Sequence, residues 1–273
     1  MTDLPTLNFI GDEPAAKFWN ILLYGPAKNG KTVAACSAPG PVLLLTCQGP
    51  SSYRYAKAKY KDKVRPVKFE GRQTLTTVTA YLRAGGQGEQ TVVVDTVGDI
   101  HSAVLEQVGG KKPQIQHYGQ ANDTVYDFVR TLRDLPVNVV LVCHEQIDDS
   151  EEGGATRRPL TGGKKLPEQV MGEVDIIAYC GVVQPDEKKD PVYVGQLVQA
   201  KGRRAGDRSG ALGSTRLLDL EEWVATANAA LAPDESDVPF SDAPAESEAI
   251  GDEPEDLNAQ LDLAAAAEER GGA

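Results

Sequence analysis

Residues 25–32 read GPAKNGKT and fit every position of the pattern G-x-x-x-x-G-K-[ST], and the apolar segment 21–24 directly precedes them. Glycines at these positions let the backbone turn tightly, so that successive N–H groups point at one anion, and the helix that follows adds the positive end of its dipole. The pattern therefore predicts a phosphate-binding loop between a buried strand and a helix. A glycine-rich turn without a ligand is the alternative.

The individual residues of this loop have expected roles in binding ATP. Lys31 is expected to reach the outer phosphates, and the hydroxyl of Thr32 is expected to hold Mg²⁺. The nucleotide-contacting residues predicted in the loop are Gly25, Pro26, Ala27, Lys28, Asn29, Gly30, Lys31, Thr32 and Val33.

The charged residues divide the chain into two parts. The chain carries 40 acidic and 28 basic residues, of which residues 233–273 hold 13 and 1, leaving 27 of each in residues 1–232. The net charge of -12 therefore belongs to the C-terminal part and does not exclude a nucleic-acid partner for the rest. We expect a folded domain over 1–232 and an acidic disordered tail over 233–273, because the tail cannot bury enough apolar surface to offset its ordering.

Several protein classes are disfavoured by the composition. The apolar runs 92–94 and 139–142 are much shorter than the roughly 20 residues that cross a membrane, and the first residues lack the pattern of a signal peptide. The four cysteines are scattered without a C-x-x-C pair, which favours free thiols in a reducing cytosol over a zinc site. They are Cys36, Cys47, Cys143 and Cys180. We expect a cytoplasmic protein with no membrane partner.

Apolar runs alternate with helical patterns over most of the folded part, which is typical of a parallel sheet with helices on both faces. Strands are predicted at 20–24, 42–46, 64–69, 91–95 and 137–143, and helices at 31–37, 51–60, 73–84, 97–107 and 119–134. A polar loop is predicted at 147–163. Strands at 174–183 and 192–200, joined by a turn near Pro185, are then expected to form an antiparallel hairpin, and a helix is expected at 220–231 with Trp223 in the core.

Polar side chains follow two of the predicted strands. Asp95 ends one of them, where P-loop ATPases hold an aspartate that positions Mg²⁺; a simple cap at the strand end is the alternative. The strand that ends at residue 143 is followed by His144, Glu145 and Gln146. Parallel strands deliver their C-terminal ends to one crevice, so a residue such as Gln146 is expected to sense the terminal phosphate. A polar strand end in solvent is the alternative.

The order of these features resembles the core of RecA-like recombinases. It runs from the phosphate loop through Val-Val-Val-Asp-Thr at 92–96, Glu-Gln-Ile at 145–147 and Thr-Gly-Gly at 161–163 to a hairpin region with Lys201. Over residues 18–225 the chain is most similar to the compact phage RecA-core single-strand annealing proteins of the Sak-four type. The resemblance implies an α/β, RecA-like P-loop NTPase with a mostly parallel central sheet, flanking helices and an antiparallel C-terminal hairpin.

The resemblance also implies roles for residues outside the phosphate loop. Gln146 would couple the terminal phosphate to two DNA-binding loops at 109–118 and 147–163, while Lys201 and Arg203 would reach the nucleotide of a neighbouring subunit. Together with nearby basic residues, the predicted DNA-binding set is Lys111, Lys112, Tyr118, Arg157, Arg158, Lys164 and Lys165. Ordinary solvated charges are the alternative for this set.

One position departs from the RecA-like pattern. The strand after the phosphate loop is followed by Gln48, where these enzymes carry a glutamate that activates the attacking water. An amide cannot accept that proton. Either hydrolysis is slow, or Glu145 or Glu70 acts as the base, with Glu145 preferred.

These observations lead to one favoured function and two alternatives. The favoured one is an ATP- and Mg²⁺-dependent ATPase that binds single-stranded DNA as a homo-oligomer, ring or filament, and promotes annealing or strand exchange in the cytoplasm of a bacterial host as a phage-encoded protein. The alternatives are a nucleotide-switched scaffold or loader with little turnover, and a motor ATPase.

The acidic tail has two possible partners. It either competes with DNA for basic residues, or docks residues 234–240, which resemble the acidic tip of bacterial single-strand-binding proteins, on a partner of that kind. A tail that only aids solubility is the alternative.

Overall fold

The computed structural model of the protein describes residues 17–148, 155–184 and 190–231. The strands are β1 (Asn20–Gly25), β2 (Val42–Thr46), β3 (Val64–Lys68), β4 (Thr91–Asp95), β5 (Asn138–Asp148), β6 (Thr156–Leu160), β7 (Ile176–Val183), β8 (Val192–Gln196), β9 (Gly206–Asp207) and β10 (Thr215–Leu217). The helices are α1 (Lys31–Ala35), α2 (Pro50–Tyr60), α3 (Arg72–Arg83), α4 (Val97–Gly109), α5 (Ile115–Arg133), α6 (Leu166–Gly172) and α7 (Leu220–Ala230), with a 3-10 turn at Lys61–Lys63.

Within the described ranges, all ten strands belong to one sheet. Its order is β10-β8-β7-β1-β5-β4-β2-β3, with β6 paired to β5 and β9 paired to β7. The six strands from β7 to β3 run parallel, whereas β8 and β10 continue the sheet antiparallel. The predicted fold class, a mostly parallel α/β sheet with an antiparallel C-terminal hairpin, is confirmed.

Helices cover both faces of the sheet because successive strand residues point to opposite sides. On β1, Leu22 and Tyr24 belong to the core beneath α3, α4, α5 and α6. Ile21 and Leu23 belong to the core beneath α1, α2 and α7, where Trp223 has no exposed surface. The strands are therefore apolar on both sides, which explains their continuous Val and Leu runs.

The main departure from the predicted elements is at residues 144–160. Strand β5 runs on to Asp148 and pairs antiparallel with β6, so the predicted loop 147–163 contains a strand. Ion pairs of Arg158 with Asp148, at 2.7 Å, and of Arg157 with Glu145, at 3.5 Å, join the two strands. Opposite charges on neighbouring strands stabilise the pairing. The polar composition of this segment alone predicts a loop.

Smaller departures concern helix and strand ends. Helix α5 begins at Ile115, four residues earlier than predicted, because the Gln114 N–H donates a 3.0 Å hydrogen bond to Nδ1 of His117 and closes the first turn. Helix α6 and the short strands β9 and β10 were not predicted. The predicted turn near Pro185 and the predicted tail 233–273 lie outside the described residues. None of the helices in the described ranges combines the length and apolar character needed to cross a membrane.

Candidate functional site

The phosphate loop connects β1 to α1 and is held by close backbone contacts. Gly25 has φ +143°, and a Cβ there would lie 2.6 Å from the carbonyl oxygen of Cys180 on β7. Gly30 precedes α1 with φ +73°, and a Cβ there would lie 2.9 Å from the ring of Tyr193 on β8. Asn29 donates from Nδ2 to the carbonyl of Cys180 at 3.2 Å. The glycines of the pattern are therefore required by the neighbouring strands as well as by the turn.

Lys31 begins α1 with its side chain folded over the loop. Its Nζ donates to the carbonyls of Gly25, at 2.9 Å, and Pro26, at 2.5 Å. Burial lowers the pKa of Lys31, and the negative charge of Asp95 acts in the opposite direction. The Lys31 ammonium group therefore lies inside the loop and bonds to backbone carbonyls. A phosphate bound there would replace these carbonyls as its partner and form a stronger, charge-assisted contact.

Thr32 and Asp95 come from distant parts of the chain and meet beside the loop. The Thr32 hydroxyl donates to Oδ2 of Asp95 at 2.7 Å. Strand β5 lies between β1 and β4, so Asp95 is two strands away from the strand that leads into the loop. The sheet register places Asp95 between Thr46 on β2 and Val142 on β5.

The oxygens of Thr32 and Asp95 are the hard donors that Mg²⁺ prefers. Asp95 is 4% exposed, and burial raises its pKa, although the hydrogen bond from Thr32 and the charge of Lys31 lower it. A buried carboxylate with one neutral and one cationic partner gains from a bound cation. These two residues therefore fit a Mg²⁺ ion.

A cavity of about 690 Å³ opens over the loop. It is lined by Lys28, Gly30, Lys31, Thr32, Val33, Ala34, Gln48, Ser52, Tyr55, Lys59, Tyr60, Asp95, Thr96, Val142, His144, Tyr193 and Leu218. Asp95 is the single carboxylate among these described residues. Sequence reasoning missed Tyr55, Lys59, Tyr60 and Tyr193, since a tyrosine or lysine has no motif that marks it as a cavity residue.

His144 is the polar residue of β5 that lines this cavity. Alternation along β5 places Val142 and His144 on the side of α1, and Cys143 and Glu145 on the other side. Gln146 is half-buried, two residues beyond His144, and lies opposite Arg158 in the pairing of β5 with β6. The cavity lining includes His144 but not Gln146. The period of two along a strand could have separated His144 from Glu145, but not from Gln146, which follows two residues later on the same side.

Neither of the two proposed bases lines the cavity. Glu145 accepts a 3.2 Å hydrogen bond from the hydroxyl of Tyr179 and pairs with Arg157 on the opposite sheet face. Glu70 lies at the N-terminal end of α3 and lines a separate groove between α3 and α5. The preference for Glu145 as the base does not fit this arrangement, because its carboxylate is oriented by groups on the face away from α1.

Gln48 is in the cavity lining, but a neighbouring carboxylate holds its amide. Its Nε2 donates to Oδ2 of Asp99 at 2.8 Å, and its N–H donates to the Thr46 hydroxyl at 3.0 Å. Asp99 is on the first turn of α4, where Thr96 caps the helix. The position of the usual glutamate therefore carries an amide that is oriented by Asp99.

Arg203, which the resemblance places near the nucleotide of a neighbouring subunit, lies in the interior of the described domain. It is 4% exposed, its guanidinium lies 4.7 Å from the ring centre of Tyr179, and Nη1 donates to Gln196 at 3.1 Å. Burial raises the pKa of Tyr179 to about 12. The expected contact of Arg203 with the nucleotide of a neighbouring subunit does not fit this arrangement, because the guanidinium is buried against Tyr179 and Gln196. Lys201 is exposed, at a turn with φ +49°.

The predicted DNA-binding residues do not form one set. Lys111 and Lys112 are exposed between α4 and α5, and Tyr118 is 43% exposed on the first turns of α5 rather than in a loop. Lys164 and Lys165 are exposed before α6. Arg157 and Arg158 are on β6, and their side chains are only 12% and 16% exposed because they pair with Glu145 and Asp148.

The model of a family described as AAA domain matches residues 17–209. Among solved structures, a KaiC-like protein from the hyperthermophilic archaeon Pyrococcus horikoshii OT3 aligns with a TM-score of 0.38 and 11% identity, over 69% of this chain and 82% of that chain. No curated protein matched the chain.

Proposed function

The chain belongs to the AAA domain family, and on this premise we propose that it is an ATP-dependent single-stranded-DNA-binding protein that promotes strand annealing or exchange. The observation that carries the proposal is the continuity of β5. This strand passes His144 in the nucleotide cavity and continues, through its pairing with β6, to Arg157 and Arg158. A change at the terminal phosphate is thereby linked to a basic segment through one hydrogen-bonded ladder.

The nucleotide is held in this proposal by the loop and by two oxygen donors. Lys31 exchanges its backbone carbonyl partners for phosphate oxygens, while Thr32 and Asp95 hold Mg²⁺. The ion supplies charge neutralisation to the outer phosphates. His144, which is the polar β5 side chain in the cavity lining, hydrogen-bonds to the terminal phosphate, and this is the role that the resemblance implied for Gln146.

DNA binding is proposed to involve the segments that meet near α4 and α5. A Cβ at Gly162 would lie 2.1 Å from the ring of His101 on α4, and a Cβ at Gly163 would lie 2.7 Å from the side chain of Asn122 on α5. The segment before α6, with Lys164 and Lys165, is thus packed against the helices that flank Lys111 and Lys112. This supports a shared basic surface formed by both segments.

Assembly and partners are part of the same proposal. We infer a homo-oligomer, ring or filament, in a bacterial cytoplasm with a phage origin, and an acidic tail that competes with DNA or meets a single-strand-binding protein. Removal of residues 233–273 should tighten DNA binding if the tail competes, because 13 acidic residues leave the chain. Unchanged affinity contradicts the competition.

The test is ATP hydrolysis by the full chain with and without an oligothymidylate, together with binding of that oligonucleotide with and without ATP. DNA-stimulated hydrolysis and ATP-dependent binding are expected. With roughly 4 phosphate contacts per subunit, the log of the binding constant should fall with the log of salt with a slope of about -3. Absence of DNA binding in the presence of ATP and Mg²⁺ overturns the proposal.

A nucleotide-switched scaffold with little turnover is a second candidate. Gln48 and its hydrogen bond to Asp99 favour it, because Asp95 is then the only cavity carboxylate in the described residues and it is needed for the metal. ATP binding with neither a DNA response nor appreciable turnover would support the scaffold.

A further inference from the structure

Helix α2 presents a basic face with an exposed aromatic ring. Arg54, Lys59 and Lys61 are exposed, and Tyr55 is 75% exposed. Arg54, Tyr55 and Lys59 are on α2, and Lys61 begins the 3-10 turn that follows it; these four residues are called the α2 face below. Ala56 is the one buried residue of this helix. The outer surface of α2 is therefore covered by long cationic side chains around a tyrosine rather than by packed neighbours.

Positive charge in the folded part is concentrated at this helix and the strand after it. Residues 54–68 hold seven basic residues and one acidic residue, a net charge of +6, while residues 1–232 as a whole carry 27 of each sign. Residues 1–53 and 69–232 together therefore carry a net charge of -6. A local cationic surface on a body that is otherwise acidic attracts polyanions rather than proteins or ligands in general.

The charges of the α2 face are available, whereas others nearby are not. Lys63 pairs with Glu221 at 2.8 Å, and Arg65 pairs with Glu89. In contrast, within residues 17–148, 155–184 and 190–231 no ion pair joins Arg54, Lys59 or Lys61 to a carboxylate. The arginines predicted to bind DNA, Arg157 and Arg158, are paired instead. The α2 face thus carries cations with no carboxylate to displace.

The exposed ring indicates which polyanion fits. Tyr55 precedes Lys59 by one helical turn, so a stacking surface and a cation lie side by side on the helix. Binding of single strands combines cationic contacts to the backbone with aromatic rings on which bases stack. An acidic polypeptide has no bases that could stack on the ring.

We propose that the α2 face binds single-stranded nucleic acid, with Arg54, Lys59 and Lys61 on the phosphates and Tyr55 stacked on a base. The inference rests on the proposed function, since it names the surface at which the strand is held. Tyr55 and Lys59 also line the nucleotide cavity, so the strand would run beside the bound nucleotide. ATP would then influence DNA binding directly at this rim.

The experiment measures binding of a fluorescent thirty-residue oligothymidylate to the full chain by anisotropy, with a non-hydrolysable ATP analogue and Mg²⁺ present. The α2 variants are Arg54→Glu with Lys61→Glu, both outside the nucleotide cavity, and Tyr55→Ala. The comparison variants make the same changes at the surface named in the proposed function: Lys111→Glu with Lys112→Glu, and Tyr118→Ala. Arg72→Glu with Arg83→Glu, at two exposed positions of α3 outside the nucleotide cavity, is the matched control for charge reversal alone. Nucleotide binding and thermal unfolding are followed for every variant, so that a folding defect is recognised.

We expect the double charge reversal on α2 to weaken oligonucleotide binding by tenfold or more, and Tyr55→Ala to weaken it by about fivefold to a hundredfold. The same changes at Lys111, Lys112 and Tyr118 should weaken it by a smaller factor than the changes on the α2 face. Loss of binding in these comparison variants with wild-type binding in the α2 variants overturns the inference and leaves the proposed function standing. Absence of binding by the unaltered chain instead defeats the proposed function itself.

A competition experiment separates the two kinds of polyanion. Unlabelled oligothymidylate should displace the probe at far lower concentration than poly-glutamate of equal charge. Equal displacement by both assigns the α2 face to acidic polypeptides and overturns the inference.

Discussion

The hydroxyl of Thr32 donates a 2.7 Å hydrogen bond to the carboxylate of Asp95, although 63 positions separate them in the chain. The bond joins the first turn of α1 to the end of β4 across the intervening strand β5. It brings together the two oxygen donors that fit Mg²⁺. It also gives a hydrogen-bond donor to a carboxylate that is 4% exposed, so the same contact stabilises the fold and brings together the two residues of the candidate metal site.

Thr32→Val keeps the shape of the side chain but removes this hydroxyl. We expect Mg²⁺-dependent ATP binding to be lost, and the free energy of unfolding to fall by about 1–3 kcal/mol, because Asp95 loses its neutral donor. Calorimetric titration with ATP, with and without Mg²⁺, and denaturant unfolding measure the two effects. Thr32→Ser is the control that keeps the hydroxyl. Wild-type metal dependence in the valine variant would contradict the assignment.

His144→Ala and Gln146→Ala separate two neighbours on β5 that have different surroundings. Because His144 lines the cavity and Gln146 does not, loss of His144 should lower the turnover number for ATP by about 100-fold while changing ADP affinity little. Steady-state hydrolysis and ADP titrations measure this. A larger loss of turnover in Gln146→Ala than in His144→Ala would show that Gln146, and not His144, contacts the terminal phosphate.

Tyr24→Phe tests the hydrogen bonds that link β1 to β6 and to the segment after β8. The Tyr24 hydroxyl is held between the backbone carbonyls of Arg157, at 3.0 Å, and Arg204, at 2.7 Å. Its removal should lower the free energy of unfolding by about 1–2 kcal/mol. Hydrogen exchange should show faster opening of β6 than of β4. Uniform protection throughout the sheet in this variant would show that the tyrosine does not stabilise β6.

Gly162→Ala tests the contact between the segment after β6 and α4. Gly162 has φ +93°, and a Cβ would lie 2.1 Å from Nδ1 of His101. We expect a loss of about 2–4 kcal/mol from strain and overlap together. Gly110→Ala is the matched control, because its φ is +60° and nothing lies within 4 Å of a Cβ there. Thermal unfolding of both variants checks the difference, and equal losses would exclude a role for the His101 contact.

His101 makes stability depend on pH. It is 3% exposed and Nε2 lies 2.8 Å from Oδ1 of Asn122, and burial lowers its pKa below the ordinary 6.5. The unfolded chain therefore binds the proton more readily. The contribution of neutral His101 is complete above pH 6.5 and is lost as the pH falls from there towards the lowered pKa.

The variant His101→Gln isolates this contribution. Unfolding followed by denaturant between pH 7 and pH 5 should show a shallower loss of stability in the variant than in the parent chain. Identical pH profiles would mean that carboxylates alone govern the acid limb.

The sequence predicted the phosphate loop, the parallel sheet and the strand that ends at Asp95, because each depends on a local pattern. Glycine spacing specifies a tight turn, and continuous apolar runs specify strands that are buried on both faces. The predictions were wrong where distant residues decide the outcome. The segment 144–148 is a strand because Arg157 and Arg158 pair with it, and Arg203 is internal because Tyr179 and Gln196 receive it.

Local chemistry was enough to say that this chain makes a tight phosphate-loop turn before Lys31 and that the following strands are buried. It could not say which polar strand ends share the cavity. That depends on the order of strands in the sheet and on the side to which each residue points, so His144 faces the nucleotide cavity while its neighbour Glu145 is held by Tyr179 on the other face. A one-residue step along a strand reverses the direction of a side chain, and pairing between distant strands sets where that step falls.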